Sequence, residues 1–391
     1  MTPGALPVRD EAIATARVAL LTNFIAPYRT PLFRRLAQRL GTLRIFISTP
    51  MEPNRSWGPD WGGLDVALLP TFTLRRTATH PHAFAEPLFV HLPYTAFFAL
   101  WRFRPDVVVA GQLGLASALT ALYCRVRRSA GFVLWLTLSE VSEAGRGGIR
   151  RRLRRWLLAR ADAVMVNGES GARYVRSFGV PAAKIFRVYQ AIDVERFAAV
   201  ADREPEAARD LLFVGSGEPR KGLRGFLGQL GRWAAAHPEE RLALSVAGTD
   251  ATCLGPERPA LPDNLVVHWL GHVPYERVPQ LYAESAILAF PTLADEWGLV
   301  VNEALAAGRP VLGSRYSQAV EELVEEGETG WTFRPDHADE CAAAIDRALG
   351  TPADELARMS ARAHTRGAEL SFDRVAERML AAIRYARDRR T

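Results

Sequence analysis

One stretch constrains this 391-residue chain more than any other: LAFPTLADEWGLVVNEALAAGRPVLGSRYSQAVEEL, residues 288–323. A short apolar run at 288–290 predicts the end of a strand, and the turn residues of 291–298 predict a loop. Residues 299–307 then read as a helix, with Leu299, Asn302, Glu303 and Ala306 three or four apart. Gly308, Arg309 and Pro310 stop it. A second apolar run at 310–312 opens the next strand, 314–318 form a loop, and 319–324 resume a helical pattern with Glu321, Glu322 and Glu325 on the polar side. Two strand–loop–helix units in tandem are what a parallel α/β domain requires, and such domains bind ligands beyond the carboxyl ends of their strands. Glu303 shares its helical face with Leu299 and Ala307, the face expected to pack inward, where a carboxylate is costly unless it meets a partner.

The length and the 48% hydrophobic content exceed what one ordinary core holds and predict two domains. The formal charge of +6 suits a nucleic acid or an anionic membrane surface and by itself selects neither. Cys124, Cys253 and Cys341 are odd in number and far apart, which argues against a disulfide framework and fits a reducing compartment. His80 and His82 lack further ligands, so no metal site is expected. The opening MTPGALPVRDEA has no basic segment followed by an apolar core, so a signal peptide is not expected. Residues 88–100 are apolar and aromatic but too short to span a bilayer, and read as a buried helix or one contacting a membrane surface.

In the first half, residues 17–22, 43–47, 106–110, 132–138, 163–167 and 185–188 are strand candidates, with helices at 31–40 and 115–123. The loop 23–29 follows the first strand, while 49–80 carry no clear periodicity and fit either an acceptor-specificity region or a surface excursion. Glu140, just after the strand at 132–138, is a candidate acceptor-binding acid or else a helix cap or surface acid. Residues 145–161 hold seven arginines, from Arg146 to Arg160, and no acid. From Ile149 onward they form a basic amphipathic helix with Ile149, Leu153, Trp156 and Leu157 at helical spacing. Two roles fit: an anionic membrane surface bound through the arginines, with Trp156 at the interface, or a protein surface with Trp156 in its own core.

In the second half, the charged stretch 202–209 suits a linker. The strand at 211–214 leads into a loop in which Gly215, Gly217 and Gly222 let backbone approach a ligand closely. Arg220 and Lys221 are placed there to neutralise a diphosphate. The spacing is not that of a P-loop. Further strands are expected at 242–247 and 266–270, helices around 223–235, 278–282, 338–349 and 372–386, and His272 lies in the turn after 266–270.

The acid at 295, the acid eight residues on at Glu303, the Trp297-Gly298 pair and the Gly308–Pro310 stop occur in one register. That register resembles the signature of retaining glycosyltransferase family 4, a nucleotide-sugar-dependent family of GT-B fold. The first acid is Asp295 where the family commonly has Glu, Glu296 replaces a Gly or Pro, and Ser216 stands where an Arg commonly follows the first glycine of the 215–222 loop. Lys221 keeps its place. The phrase from Asp193 to Phe197 and the first loop also resemble the family, while no histidine matches the one usual near Thr137 and Glu140.

The resemblance implies two Rossmann-like domains facing across a nucleotide-sugar cleft. Residues 14–198 would be the acceptor domain and 199–370 the donor domain, with a helix at 371–391 crossing back to the first. It implies transfer of a sugar, a hexose by expectation, from a nucleoside-diphosphate-sugar to a hydroxyl of a glycan or lipid-linked acceptor with retained configuration, without metal or other cofactor. Glu303 would bind the ribose, Asp295 the donor sugar and Lys221 the diphosphate. Gly215, Ser216, Gly217, Arg220, His272, Glu296, Trp297, Gly298, Leu299 and Val300 would complete the donor site. Asn23, Tyr28, Thr137 and Glu140 are the expected acceptor-side residues. The alternative is a non-catalytic nucleotide-sugar-binding or regulatory protein on the same scaffold. No nucleic-acid module is recognised. A cytoplasmic location, peripheral on the inner face of the plasma membrane, and a role in polysaccharide biosynthesis complete the expectation.

Overall fold

The computed structural model describes residues 11–53, 58–79, 85–143, 147–202, 209–255 and 258–390. Arg146, His80, His82 and most of the expected 202–209 linker lie outside them. The chain divides into two compact units: Met1–His80 with Ala85–Tyr189 and Phe372–Thr391, and Pro81–Phe84 with Gln190–Ser371.

The first unit opens with α1 (Glu11–Ala14), β1 (Arg17–Thr22), α2 (Thr30–Arg39), β2 (Thr42–Ile47), β3 (Asp65–Leu68), β4 (Phe72–Thr79), β5 (Ala85–Leu92) and α3 (Ala96–Phe103). It continues with β6 (Val107–Gly111), α4 (Leu115–Val126), β7 (Gly131–Leu136), α5 (Glu140–Glu143), α6 (Gly148–Leu158), β8 (Ala163–Val166), α7 (Glu169–Arg176) and β9 (Ile185–Arg187). Seven strands form a parallel sheet in the order β3-β2-β1-β6-β7-β8-β9. Strands β7 and β8 are buried along their whole length. That is why they read as continuous apolar runs rather than alternating ones.

The second unit comprises α8 (Val194–Ala198), β10 (Leu211–Val214), α9 (Leu223–Ala236), β11 (Leu242–Ala247), β12 (Leu265–Gly271), α10 (Val278–Glu284) and β13 (Ile287–Phe290). These are followed by α11 (Leu299–Ala306), β14 (Val311–Ser314), α12 (Gln318–Leu323), β15 (Gly330–Phe333), α13 (Ala338–Leu349) and α14 (Ala353–Gly367). Its parallel sheet runs β12-β11-β10-β13-β14-β15. The final helix, α15 (Phe372–Asp388), belongs to the first unit, where it packs on α2, β7 and β8 and its Asp373 pairs with Arg39 at 2.6 Å.

Both sheets place their earliest strand in the middle and build outward in two directions. Strand order therefore reverses between β1 and β6 and between β10 and β13, opening a crevice at the carboxyl ends of each pair, where open α/β sheets take ligands.

Two local expectations are corrected. Residues 88–92 are not helical: they finish β5, which pairs antiparallel with β4 from Phe72↔Leu92 to Thr79↔Ala85, and the helix starts only at Ala96 beyond Pro93. In α6 the inward side chains are Arg154, Leu157 and Leu158, while Ile149 is 87% exposed and Trp156 37% exposed. Arg154 goes inside because Glu143 pairs with it and the Tyr174 hydroxyl lies 2.8 Å from its guanidinium. It is thereby removed from any surface role. Among the described residues no helix is long and apolar enough to cross a membrane.

Candidate functional site

The chemistry concentrates at the crevice between β10 and β13. Leaving β10, the chain passes through Gly215 to Gly222 and makes a 3-10 turn at Pro219–Lys221 before α9 begins. Gly222 has φ +71°, and a Cβ there would drive into the Pro291 carbonyl oxygen. Glycine is therefore what lets the β10 loop lie against the β13 loop. Backbone bonds fix the contact: Leu293 N donates to Arg220 O at 2.8 Å, and Thr292 Oγ1 donates to the same oxygen at 3.2 Å. The Gly222→Ala protein is expected to lose about 1–3 kcal/mol from the strained backbone alone. Gly225→Ala, at a helical position open on all sides, should gain about 0.5–1 kcal/mol. Paired urea melts measure both, and equal stabilities would contradict this account of the loop.

This packing sets two residues 74 positions apart side by side. Lys221 Nζ donates to Asp295 Oδ2 at 2.7 Å, and Arg220 Nη1 lies 3.5 Å from the same oxygen. The Asp295 side chain is only 17% exposed. Burial pushes its carboxyl up, but Lys221 and then Arg220 outweigh that and hold it below its ordinary value. The result is a cation-rich loop junction with an ionised acid fixed inside it. Asp295 Oδ1 also accepts from Trp297 N at 3.3 Å, and Asp295 N donates to Tyr316 O at 3.2 Å, so the acid is held from both sides.

Beyond it, Gly298 takes φ +105°, and a Cβ there would sit 2.7 Å from the Phe290 ring. The glycine starts α11 directly above the end of β13. The first amides of a helix have no partner within it, so those of Leu299 and Val300 are available to an anion. Trp297 is buried and donates through Nε1 to Asn302 Oδ1 at 2.9 Å. Asn302 in turn donates to Gln190 O at 2.7 Å. Gln318 Nε2 donates to Glu296 O at 2.8 Å, tying α12 to the same loop.

Glu303 is buried at 7% exposure on α11, and the Tyr282 hydroxyl donates to its Oε2 at 3.1 Å. Burial raises the Glu303 carboxyl to about 7, with the Tyr282 bond acting the other way. The Tyr275 phenol is raised as well, first by burial and then by the Glu303 charge. Phe197 packs edge-on against both tyrosines, with ring centroids 6.0 and 5.7 Å away. Tyr275 and Tyr282 were not singled out from sequence as partners of Glu303. Their separation of seven residues, about two helical turns, was the available signal.

Of the remaining candidates, Gly215 lies beside Lys221, whose Cδ a Cβ there would meet at 3.9 Å, and the others stand farther out. Gly215 and Gly217 pack on the loop after β11: Gly215 N donates to Ala247 O at 2.9 Å, and a Cβ on Gly217 would collide with Thr249 and Cys253. Ser216 is exposed and donates to Glu218 at 3.0 Å rather than facing Asp295. His272 is exposed in the turn after β12, the edge strand, two strands from β10, so it is not brought to Lys221.

In the first unit, Asn23 follows β1 and its carbonyl accepts from Ser48 N and Thr49 N, both at 2.9 Å. Tyr28 lies in a 3-10 turn at Pro27–Arg29, and Thr137 follows β7. Glu140, at the start of α5, pairs on the surface with Arg173 at 2.8 Å. Gln112, unremarked in the sequence, sits beside the β1–β6 crevice with φ +111°, a conformation rarely held by a side-chain-bearing residue. Cys124 and Cys341 are buried thiols, each raised to about 12 by burial.

Residues 25–190 match the model of the glycosyl transferase 4-like domain, and residues 208–351 match that of glycosyl transferases group 1. A glycogen synthase of Mycobacterium tuberculosis is 28% identical over 282 residues, covering 69% of this chain and 66% of that protein. A D-inositol 3-phosphate glycosyltransferase of Nocardia farcinica is 29% identical over 245 residues, covering 57% and 52%. The chain thus spans less than two thirds of the length of either relative. The crystal structure of Anabaena HepE in complex with UDP superposes with a TM-score of 0.65 over 93% of this chain and 98% of that one, at 17% identity. One glycosyltransferase domain model thus matches each half of the chain, and its two parallel-sheet Rossmann-like α/β units have the GT-B fold.

Proposed function

We propose that this protein transfers a hexosyl group, with retained anomeric configuration, from a nucleoside-diphosphate-sugar to a hydroxyl of a glycan or lipid-linked acceptor, as a family 4 enzyme. The observation that carries the reading is the Lys221–Asp295 contact at the strand-order reversal of the second unit. Relatives named glycogen synthase and D-inositol 3-phosphate glycosyltransferase, and a neighbour whose structure is a complex with UDP, support it.

In this reading the diphosphate lies against Lys221, Arg220 and the first amides of α11, and Asp295 holds a hydroxyl of the donor sugar. The bond from the anomeric carbon to the diphosphate oxygen breaks, and its electron pair leaves with the diphosphate. The acceptor oxygen bonds to the same carbon on the face the diphosphate leaves, and its proton passes to the departing diphosphate oxygen. Negative charge grows on the leaving oxygen, so a fixed ammonium and oriented amides lower the barrier. Glu303 accepts hydrogen bonds from the ribose hydroxyls, for which an ionised carboxylate is the better acceptor. Donor affinity should therefore rise as pH passes upward through about 7, the value at which the buried Glu303 ionises.

A panel of nucleotide-sugars tested by thermal shift, followed by assay of released nucleoside diphosphate and proton NMR of the product anomer, examines the proposal. We expect at least one donor to stabilise the protein and to be consumed with retention. A panel in which no donor is either bound or turned over would refute it.

A further inference from the structure

The first unit carries a surface that the transfer reaction does not use. Helices α3, α4 and α6 bury their inner sides in one core. Ala96, Leu100 and Phe103 come from α3, Ala121 and Cys124 from α4, and Leu157 from α6. Helix α3 packs beside α4, and α4 beside α6. Their outer sides therefore form one continuous face.

That face is unusual in two respects. The segments 94–104, 115–128 and 147–160 contain eleven arginines and no aspartate or glutamate. They also hold seven of the thirteen exposed large hydrophobic side chains among the described residues: Tyr94, Phe98, Trp101, Leu122, Val126, Ile149 and Trp156. Of the arginines, Arg154 is committed inward to Glu143 and Tyr174. Arg102, Arg104, Arg125, Arg128, Arg152 and Arg155 are exposed. Arg160 stands over the Trp156 ring at 4.2 Å, so this pair presents a flat aromatic and a guanidinium together. Phe98 is 71% exposed at the outer side of α3, next to the stacked Phe97–Trp101 pair.

We propose that the outer face of α3, α4 and α6 docks on an anionic lipid surface. The helices would lie in the plane of the headgroups, aromatic and aliphatic side chains entering the acyl boundary and arginines pairing with lipid phosphates. Charge and apolarity argue jointly for this occupant. An acid-free arginine field attracts anionic phosphate, while interspersed Phe, Trp, Val and Ile gain from leaving water at a depth where arginine stems still reach the headgroups. The surface joins the arginine run of α6 to the apolar segment ending in α3, which the sequence offered separately, and adds α4; α3 and α4 contribute most of its apolar content.

The test is sedimentation of the full-length protein with phosphatidylcholine vesicles, with and without phosphatidylglycerol. The wild type should co-sediment only with the anionic vesicles and be released by salt. Two surface variants separate the helices: Phe98→Ser/Val126→Ser/Arg125→Ser/Arg128→Ser on α3 and α4, and Arg152→Ser/Arg155→Ser on α6. Each should retain its melting temperature and its donor hydrolysis in solution while partitioning at least about tenfold more weakly, at about fivefold per arginine. Because donor hydrolysis is read separately, a failed transferase reading and a failed docking face give different results. Equal vesicle binding by the wild type and the α3–α4 variant would overturn the proposal. Stronger retention on polyuridine than on anionic vesicles would do the same.

Discussion

Lys221→Ala is expected to lower kcat about 10²–10³-fold while the protein remains folded, the loss typical when one preorganised donor is taken from a site of developing charge. Its ammonium is the group nearest to Asp295 and stands in the wall assigned to the diphosphate. Removing it also leaves Asp295 with Arg220 at 3.5 Å as its remaining cation, so a modest drop in melting temperature accompanies the kinetic effect. Lys221→Arg separates charge from geometry. A guanidinium keeps the charge but not the compact ammonium, and only partial recovery is expected. Steady-state release of nucleoside diphosphate provides the measurement, and an unchanged kcat in a folded Lys221→Ala protein would remove the residue from the chemistry.

Glu303→Gln is expected to act in opposite directions on stability and on donor binding. The folded-state carboxyl ionises at about 7, above its ordinary value of 4.5, so the folded protein holds the proton more tightly than the unfolded chain does. The stability linked to that proton is fully present below about pH 4.5 and is lost as pH rises through about 7. A glutamine never ionises and can still accept from Tyr282. The variant should therefore be more stable than wild type above pH 7, by up to about 3 kcal/mol, and close to it near pH 4.5. The same change exchanges a charged ribose acceptor for a neutral one and should weaken donor binding roughly tenfold or more. Chemical denaturation at pH 5 and pH 8 measures the first effect. Parallel pH profiles of stability for the two proteins would rule out an ionising Glu303.

The strands and helices around 288–323 were legible because their signals are local: apolar runs of strand length, turn residues, a helical period and a Gly-x-Pro stop. The β4–β5 hairpin was not. Its strands are interrupted by Pro87 and carry Arg75 and Arg76 among threonines, so the pattern emerges only when both strands pair. The inward face of α6 was left open for a related reason. Periodicity favours Ile149 over Arg154, and nothing local announces that Glu143 and Tyr174 will receive the arginine.

Within the site, the family resemblance assigned Lys221, Asp295 and Glu303 to one donor, but local pattern gave no contact between them. Their arrangement depends on which strands are neighbours. Lys221 meets Asp295 because β10 and β13 are adjacent, a contact across 74 residues that no spacing rule supplies. Glu303 acquires its partner from α10, another element that pattern alone does not place beside it.

Calorimetric titration of a nucleoside diphosphate into wild type, Lys221→Ala and Glu303→Ala is the most direct test of the central claim, that one donor site is built from the loops after β10 and β13. Binding weakened at least about tenfold in both variants is the predicted result. Wild-type affinity in both, with both folded, would contradict it.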